Sequence, residues 1–572
     1  MRQPCHAVLR RMFDMQEILN LNKNNCTDCY KCIRDCSVKA ITFAKDTAEI
    51  VHNDCILCGR CYVTCPQKAK QVRSDILRVK AAILSGRPVV VSLAPSFIAN
   101  YRIRSLDVMS GALKQLGFTE VQETAIGAQM VSEEYAKIME EGKLKVIISS
   151  CCPSINMLIK KYYPTMLPYL AKVLTPMEAH CKLIKQQQPN AFTVFIGPCI
   201  AKKKEGDESP YVDAVLTFDE MGEWFAEEGI ELPYEHVDPE SEGALARLYP
   251  ATGGVLKATA KVKGYRRIAI DGVDNCRRVF DEIENSEFSK VFIEMSACEG
   301  SCVNGPCIRD HAVRRLKGAM RVDTFAGSGE TPYQIAEKPD ISATYAFEGG
   351  HKLNFGNDAI RDMLYKMGKT SPEKELNCGS CGYPTCRDKA VAILEGKAKI
   401  EMCLPFLKEK AESFSDTIIH NTPTAILVMD EDLIVQQINP SAVKMFKLRD
   451  AKDILHEHVV RILNPQNYQM IVNAALHTQS HKHYLPDYGL YVDETILYDR
   501  QYHVVITLIR DVTEHEKLRV QGDELRQQTA EITNKVIDKQ MRIVQEIASL
   551  LGETAAETKI ALSKLKESIQ DE

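Results

Sequence analysis

Cysteine is the residue type in this chain that is best able to do chemistry, because 21 of its 572 residues are cysteines. Where thiols are kept reduced, so many cysteines indicate metal or redox chemistry rather than disulfides. The densest group repeats the spacing C-x2-C-x2-C-x3-C twice within residues 26–65. Three thiolates at i, i+3 and i+6 on a tight loop can hold three corners of one 4Fe–4S cubane, so the repeat predicts two clusters.

The repeat also predicts which thiolates share a cluster. It is typical of bacterial two-cluster ferredoxins, in which the fourth cysteine of each half binds the cluster of the other half. Zinc and free thiols are the alternatives, and both explain a duplicated pattern of eight cysteines poorly. We assign one cluster to Cys26, Cys29, Cys32 and Cys65, and the second to Cys36, Cys55, Cys58 and Cys61.

A third group of cysteines lies far along the chain, with the spacing Cys378-x2-Cys381-x4-Cys386-x16-Cys403. Four thiolates fit one more 4Fe–4S cubane, and the Gly-Tyr-Pro turn at 382–384 lets the loop wrap closely around it. The composition between the last two cysteines favours a helix that returns the final thiolate to the loop. Tetrahedral zinc is the alternative, since four thiolates also suit it.

The elements that must position the remaining cysteines lie between these groups, from residue 81 to about 344. Apolar runs of strand length alternate with polar segments of helical period, such as 131–142 and 275–286. This alternation predicts an α/β domain with buried, mostly parallel strands. The predicted strands are 88–95, 145–150, 192–198 and 290–297.

Five cysteines follow three of those strands directly. Open α/β sheets bind ligands in loops at the carboxyl ends of their strands, so thiolates from three such loops can form one site. Buried core thiols are the alternative, which is common for single cysteines but poor for five in this arrangement. The five are Cys151, Cys152, Cys199, Cys298 and Cys302.

The segments around these cysteines resemble the three signature motifs of FeFe-hydrogenases. The segments are SSCCPSI (149–155), GPCIAKKKE (197–205) and EMSACEGSCVNG (294–305), in the order of the family. The resemblance covers residues from about 20 to 405. It implies that Cys152, Cys199, Cys298 and Cys302 ligate the cubane of an H-cluster, and that Cys302 also bridges to the diiron subsite.

The same resemblance implies catalytic roles for two further residues. Cys151 matches the cysteine that passes protons to the bridging amine of the diiron subsite, a role that suits a thiol whose pKa can be tuned towards neutrality. Lys202 matches the lysine that hydrogen-bonds an iron-bound cyanide, a charge-assisted contact. For Lys202 alone, the alternative is a solvated surface lysine.

The chain departs from the family at positions that touch the cofactor. Two methionines of productive hydrogenases are replaced by Gly197 and Ser296, which predicts a gap and a hydroxyl beside the irons. Ile155 stands where a tryptophan is expected. Of the family's proton relay, only Glu133–Glu134 aligns, loosely, and the downstream serine region reads LAKVLTP (170–176). We therefore expect a contained cofactor with slow turnover, and assign no role to Cys5, Cys181, Cys276 or Cys307.

The region after the last cysteine resembles a PAS domain over residues 413–515, with a hairpin predicted from 424–430 and 433–439. We interpret it as an interaction or dimerisation module. Haem binding is the alternative for its histidines, although surface histidines are the simpler explanation. These histidines are His456, His458, His481 and His483.

The last residues, 516–572, contain no proline, and leucine or isoleucine recurs at seven from Leu518 to Leu525 and Ile532. This spacing predicts a coiled coil that pairs in a parallel dimer. A single helix packed on the PAS domain is the alternative.

Composition narrows the function classes further. A net charge of −5 argues against nucleic-acid binding through an overall basic field. No apolar run reaches the ~18 residues of a membrane span, and residues 1–13 carry no secretory signal. We therefore expect a cytoplasmic protein without a membrane or nucleic-acid partner.

Together these observations predict a multidomain α/β chain that is a sensory FeFe-hydrogenase. It would bind or slowly convert H2 (2H+ + 2e− ⇌ H2) at an H-cluster, with three additional 4Fe–4S clusters, a redox partner such as ferredoxin, and a downstream phosphatase or kinase. Alternatives are a metabolic ferredoxin-linked hydrogenase and a non-catalytic assembly-type iron–sulfur protein. The predicted domains are a two-cluster ferredoxin-like head (1–80), an H-cluster domain (81–345), a 4Fe–4S domain (346–412), a PAS α+β domain (413–515) and a coiled-coil helix (516–572).

Overall fold

The computed structural model divides the chain into two compact units, Met1–Leu407 and Lys408–Glu572. Cys5 lies outside the residues that the structure describes. Among the described residues, none of the helices combines the length and apolar content that a bilayer crossing requires. The described residues are 17–43, 47–101, 103–233, 235, 243–308, 314–327, 332–349, 355–474 and 477–570.

The N-terminal part of the first unit contains both halves of the cysteine repeat. Its elements are β1 (Leu19–Leu21), α1 (Lys31–Asp35), β2 (Ile41–Thr42), β3 (Glu49–Ile50), α2 (Arg60–Thr64) and β4 (Lys70–Val72). Strands β1 and β4 pair antiparallel, as do β2 and β3. Each helix carries the third cysteine of its half and ends just before the fourth. Gly59 enters α2 with φ 75°, and a Cβ there would lie 2.4 Å from Cβ of Pro306, so this loop needs glycine.

The central part alternates strands with helices, as predicted, and all four predicted strands are confirmed. Its elements are α3 (Ile76–Leu84), β5 (Val89–Leu93), α4 (Phe97–Tyr101), α5 (Leu106–Gln115), β6 (Glu120–Glu123), α6 (Ala125–Glu141), β7 (Val146–Ile148), α7 (Pro153–Tyr162), α8 (Pro176–Gln187), β8 (Phe192–Gly197), α9 (Ala201–Glu208), β9 (Ala214–Thr217), α10 (Phe218–Glu227), α11 (Gly254–Ala258), β10 (Arg266–Asp271), α12 (Val273–Asn285), β11 (Val291–Ser296) and α13 (Arg314–Ala326).

These strands form two parallel sheets. One has four strands in the order β6-β5-β8-β9, and the other has three in the order β10-β11-β7. The pairings within both sheets are parallel, and β5, β7, β8, β9 and β11 are buried along their whole length. Parallel strands covered on both faces read as continuous apolar runs, which is why the sequence revealed them. The head packs on the three-stranded sheet, since Leu19 and Ile56 share its apolar core with Ile148 and Ile293.

The third cysteine group folds between α14 (Asn357–Lys366), α15 (Cys386–Leu394) and α16 (Leu404–Asn421). A capping box begins α15, because the side chains of Thr385 and Asp388 each accept a hydrogen bond from the other residue's backbone N–H. The segment packs on the head, where the backbone N–H of Phe43 donates to the carbonyl of Lys397 at 2.9 Å.

The second unit is built around a five-stranded antiparallel sheet in the order β13-β12-β16-β15-β14. The predicted hairpin is confirmed by the antiparallel pairing of its first two strands. Its elements are β12 (Ala425–Asp430), β13 (Val435–Ile438), α17 (Pro440–Met445), α18 (Gln466–Ala474), β14 (Thr478–Leu485), β15 (Leu490–Asp499), β16 (Val504–Asp511) and α19 (Thr513–Gln570).

Helix α19 confirms that the C-terminal segment is helical. Its described side chains are exposed from Lys517 to Lys564, including Leu518, Leu525 and Ile532. The alternative, a helix packed along the PAS sheet, is therefore wrong for these residues. Pairing with a second helix stays a prediction.

Candidate functional site

The loops that follow β7, β8 and β11 meet around one cavity of about 110 Å³. The cavity lies between the two sheets, because β7 and β11 belong to the three-stranded sheet and β8 to the four-stranded one. Its wall contains Lys202, Ser296 and all five cysteines that the sequence predicted to converge. These cysteines are Cys151, Cys152, Cys199, Cys298 and Cys302.

Local backbone geometry explains how these thiols are presented. Cys152 is the N-cap of α7; burial raises the pKa of its thiol, and the backbone N–H groups of Ala297, Ile155 and Ser154 act in the opposite direction. At the start of α9, the backbone N–H groups of Lys202 and Ala201 likewise act to lower the pKa of Cys199. N–H groups at a helix start stabilise negative charge, so both positions reduce the cost of forming a thiolate.

Burial works against those thiolates when no cation is near. It raises the pKa of Cys199 to about 11, and the neighbouring Cys152 raises it further. Burial and neighbouring cysteines also raise the pKa values of Cys298 and Cys302 well above the ordinary range. Four thiolates in such a cavity are stable only around a positively charged centre, so the donor set fits an iron–sulfur cubane.

Ser96 was missed by the sequence analysis. Its hydroxyl is fully buried, lines the cavity and has no hydrogen-bond partner among the described residues. An unpartnered buried hydroxyl is costly, so this one fits a polar group bound in the cavity. The signal in the sequence was its place directly after the buried strand β5, within SLAPSF.

Cys151 faces the cavity and donates to Oγ of Ser149 at a distance of 3.6 Å. Burial raises its pKa to about 12, with further contributions from Cys152 and Glu294. This direction is opposite to the tuning towards neutrality that the sequence suggested, because burial, Cys152 and Glu294 outweigh the opposing effect of Lys202.

Lys202 is buried, so the surface-lysine alternative is wrong. Its Nζ donates to Oγ1 of Thr175 at 2.8 Å and to Glu205 at 2.6 Å. Burial alone would lower the pKa of Lys202, but Glu205 raises it above its usual value. The ammonium therefore stays charged beside the cavity, with two of its three N–H donors engaged by these partners.

Three acidic residues near the cavity were also missed. Burial and the adjacent Glu205 raise the pKa of Glu178 to about 8. Burial raises the pKa of Glu294 to about 7, although its carboxylate accepts from the backbone N–H groups of Gly253 and Leu256 at 2.8 and 3.1 Å. Glu205 and Glu294 lie inside the quoted motifs, whereas nothing in the sequence singled out Glu178.

The two positions that lack methionine differ in the structure. The expected gap at Gly197 is wrong, because a Cβ there would lie 2.6 Å from the ring of Phe195, and that ring lines the cavity instead. The expected hydroxyl at Ser296 does face the cavity and lies 2.8 Å from Oγ of Ser301.

The residues aligned with the family's proton relay lie elsewhere. Glu133 binds Lys338 and Gln129, and Glu134 binds Lys137, on an outer part of α6 that does not line the cavity. Ile155 is fully buried in the core of the three-stranded sheet. In the 170–176 segment, Thr175 accepts a hydrogen bond from Lys202, and Pro176 lines the cavity.

The head brings its cysteines together in the predicted crossed arrangement. Cys26, Cys29, Cys32 and Cys65 line one small cavity. Burial raises the pKa of Cys61 well above its ordinary value, and the charges that act on it are those of Cys58, Cys55 and Cys36. The ammonium of Lys70 is buried without a hydrogen-bond partner among the described residues, and its charge acts on Cys32 and Cys61. A buried cation between two sets of thiols fits a pair of anionic clusters.

The third group also converges, since Cys378, Cys381, Cys386 and Cys403 line one cavity with Lys389. Burial lowers the pKa of Lys389 to about 8, while Cys381 and Cys403 act in the opposite direction. The donor set fits a 4Fe–4S cubane, and tetrahedral zinc stays an alternative.

The cysteine groups follow one another in space. Cys58 of the head lines the central cavity and its charge acts on Cys298. Four cysteines of the head share an apolar cluster with Cys381, namely Cys26, Cys32, Cys36 and Cys61. Of the unassigned cysteines, Cys181, Cys276 and Cys307 are fully buried and do not line the central cavity.

Comparison with known proteins agrees with this geometry. Residues 87–306 match the family model of the iron-only hydrogenase large subunit, C-terminal domain. The central part of the chain is therefore similar to iron-only hydrogenase domains. Residues 375–405 of this hydrogenase-like chain match an Fe–S cluster model, and 413–510 match the PAS fold.

Individual relatives cover parts of the chain. Iron hydrogenase 1 of Clostridium pasteurianum is 26% identical over 369 residues, which is 50% of this chain and 64%, or less than two thirds, of that protein. The cytosolic Fe–S cluster assembly factor NAR1 of Yarrowia lipolytica is 22% identical over 29% of this chain and 38% of its own length. A variant of the FeFe-hydrogenase HydA1 from Chlamydomonas reinhardtii superposes with a TM-score of 0.39 and 19% identity, over 49% of this chain and all of that one.

Proposed function

We propose that this protein is a sensory FeFe-hydrogenase that binds or slowly converts H2. The observation that carries the proposal is the cavity in which five cysteines and the ammonium of Lys202 meet between two sheets. A cluster-assembly protein needs cubane ligands, but has no evident use for a fifth thiol and a buried cation at the same cavity.

The residues of the cavity would divide the work as follows. Cys152, Cys199, Cys298 and Cys302 would hold the cubane, and Cys302 would also help to hold the diiron subsite. When bound, the H-cluster supplies the redox chemistry of 2H+ + 2e− ⇌ H2. Cys151 would hold the proton that enters or leaves, and Ser149 keeps its sulfur oriented at 3.6 Å. The ammonium of Lys202 is held by Thr175 and Glu205. Its third N–H would donate a hydrogen bond to an anionic ligand of the cofactor.

We propose slow turnover because the described residues include no evident path that delivers protons to the cavity. The carboxylates of Glu133 and Glu134 are engaged by lysines on an outer part of α6. Phe195, Met177 and Met295 form part of the apolar wall of the cavity that Cys151 also lines, and this wall would exclude water. Proton delivery would then limit the rate, which suits a protein that responds to H2 rather than one that processes it.

Electrons would travel through the remaining cysteine groups. The proposed path would run from the group of Cys378–Cys403 into the head, and from the group of Cys58 to the central cavity, whose wall contains Cys58. A redox partner such as ferredoxin would dock near the group of Cys378–Cys403 or near the group of Cys26. We place the protein in the cytoplasm, where thiols stay reduced.

The signalling part of the proposal rests on the second unit. The exposed apolar residues of α19 recur at seven, so two copies would pair along this helix as a parallel homodimer. A phosphatase or kinase would then receive the signal from the PAS domain and the helix.

The test is an infrared spectrum of the anaerobically matured protein. We expect bands of iron-bound CO and cyanide in the wild type and their absence in Cys302→Ser. A wild type that lacks these bands after maturation would overturn the proposal in favour of the assembly-type alternative, which the match to NAR1 keeps open. Bands with turnover above ~10 per second would instead favour a metabolic hydrogenase.

A further inference from the structure

A buried carboxylate in the PAS sheet needs a cationic partner. Glu494 lies on the inward row of β15, between the core residues Val492 and Ile496, and only 2% of it is exposed. Burying a carboxylate in an apolar core is costly unless the charge is compensated.

Two hydroxyls fix the direction of this carboxylate. Its Oε1 accepts from the hydroxyls of Tyr468 on α18 and Thr507 on β16, the latter at 3.1 Å. Its Oε2 is thereby turned towards the neighbouring strand β14. Outer partners that orient a carboxylate in this way are typical of metal-ligating groups.

Two imidazoles meet Oε2 from β14. Nε2 of His481 lies 3.4 Å from Oε2, and Nε2 of His483 lies 3.8 Å from it. The two rings stack with centroids 4.6 Å apart, since residues i and i+2 of a strand share one face. Their side chains are 26% and 30% exposed, so an ion from solvent can reach them.

We propose that His481, His483 and Glu494 bind one divalent first-row transition-metal ion, of the class of Zn2+ or Fe2+. Two ligand atoms that each lie ~2.0–2.1 Å from a tetrahedral ion are about 3.3 Å apart, close to the distances seen here. Two imidazoles and one carboxylate are a donor set that these ions prefer. The ligand atoms of all three side chains lie within 4.8 Å of one another.

Asn467 completes the surroundings of the site. Its amide nitrogen lies 3.1 Å from Nε2 of His481. Because rotation of the amide by a half turn exchanges nitrogen for oxygen, the same side chain can offer an oxygen as a fourth ligand.

The site is close to the output helix of the same unit. Lys482, between the two histidines, points to the opposite face of β14, and its Nζ lies 3.8 Å from Glu516 in the first turns of α19. The backbone N–H of Tyr491 on β15 donates to Oγ1 of Thr513, the first residue of α19, at 2.9 Å. A metal ion that ties β14 to β15 therefore acts on the two strands that contact α19.

The experiment is a Co2+ titration of the full-length protein with its iron–sulfur clusters assembled. We expect one Co2+ per chain with the d–d bands of nitrogen and oxygen ligation, and its loss in the double variant His481→Ala/His483→Ala. Glu494→Gln keeps the shape and acceptors for Tyr468 and Thr507, and should weaken binding at least ~100-fold. Tyr468→Phe should weaken it ~10–100-fold, as loss of an outer partner does.

The matched control is His503→Ala. His503 also pairs with a carboxylate, at 2.8 Å between Nδ1 and Oε1 of Glu431, but both side chains are exposed and only one imidazole is present. This variant should bind Co2+ like the wild type. Equal Co2+ binding by wild type, Glu494→Gln and the double variant would overturn the proposal, as would a Co2+ spectrum with thiolate bands alone. Neither outcome bears on the hydrogenase proposal, whose test is the infrared spectrum.

Discussion

The central cavity and the third cysteine group gather the same donors in different ways. The third group takes its four thiols from one segment, residues 378–403, which wraps around its own cavity. The central cavity takes its thiols from loops of two sheets, separated along the chain by up to 151 positions between Cys151 and Cys302. A local site needs its own turns and caps, whereas a non-local site also depends on every contact that holds the sheets together.

Removal of one cysteine ligand from each site in turn should have the largest effect, namely the loss of the bound cofactor. It also tests whether the two sites load independently. Cys302→Ser should abolish the CO and cyanide infrared bands while leaving the cluster of residues 378–403 intact. The matched variant Cys386→Ser should remove only that cluster, measured by iron content and EPR. Loss of both sites in either variant would contradict the independence of the local site.

A buried ion pair remote from the sulfurs should affect the central site alone. Lys203 is fully buried, and its Nζ lies 3.2 Å from Asp75 and 3.0 Å from Glu220. Lys203→Met removes the cation beside Glu220 and leaves Asp75 with Arg73 alone, 3.3 Å away, so it should lower the free energy of unfolding by about 3–5 kcal/mol. We expect poor loading of the central cavity and normal loading of the third group, measured by denaturation and iron content.

The neighbouring Lys204 provides the control for that variant. Its ammonium binds Glu208 at the surface. Lys204→Met should therefore change the free energy of unfolding by less than ~1 kcal/mol. An equal loss of stability in both variants would show that burial of the pair is not what matters.

Adding a methyl group at Gly197, beside the cavity, should lower the free energy of unfolding by a smaller amount. In Gly197→Ala the new Cβ would lie 2.6 Å from the Phe195 ring and 3.2 Å from Cβ of Ala94. Overpacking of this kind costs about 1–3 kcal/mol. The double variant Phe195→Ala/Gly197→Ala should lose less stability than the sum of the two single variants, measured by denaturation. Strict additivity would contradict the steric explanation.

The last effect that we predict depends on pH. The pKa of Glu178 is raised to about 8 by burial and by Glu205, with Lys202 acting in the opposite direction. The folded chain thus holds a proton that the unfolded chain releases, so stability falls as pH rises from ~4.5 to ~8. Glu178→Gln should remove this dependence and raise the melting temperature at ~pH 8.5 but hardly at ~pH 5. An unchanged pH profile would contradict the assignment.

The sequence predicted the cysteine groups because their spacing is local. C-x2-C-x2-C-x3-C sets the positions of the thiols within one loop and helix, and Cys32 and Cys61 occupy equivalent places in α1 and α2. The strands were equally visible, since buried parallel strands are continuously apolar. The space filled by Phe195 at Gly197 was not predictable, because it depends on a ring rotamer and on the packing of a neighbouring strand.

The three consecutive lysines 202–204 show where prediction from sequence ends. They are identical in type, yet Lys202 lines the cavity, Lys203 forms a buried ion pair with Asp75, and Lys204 forms a surface ion pair with Glu208. Residues one apart on a helix point in directions about 100° apart, and only the neighbours in three dimensions decide what each one meets.

By itself, the sequence determined which thiols form groups, their order along the chain, and the alternation of strand and helix that carries them, because these follow from covalent spacing and periodicity. The tertiary structure alone decided that the central thiols meet between two sheets and that Glu494 faces His481 and His483. It also decided that Cys58 of the head lines the central cavity and that Cys381 of the third group packs on the head. Those contacts join residues that are distant in the chain, and their distances are set by sheet register and core packing rather than by spacing.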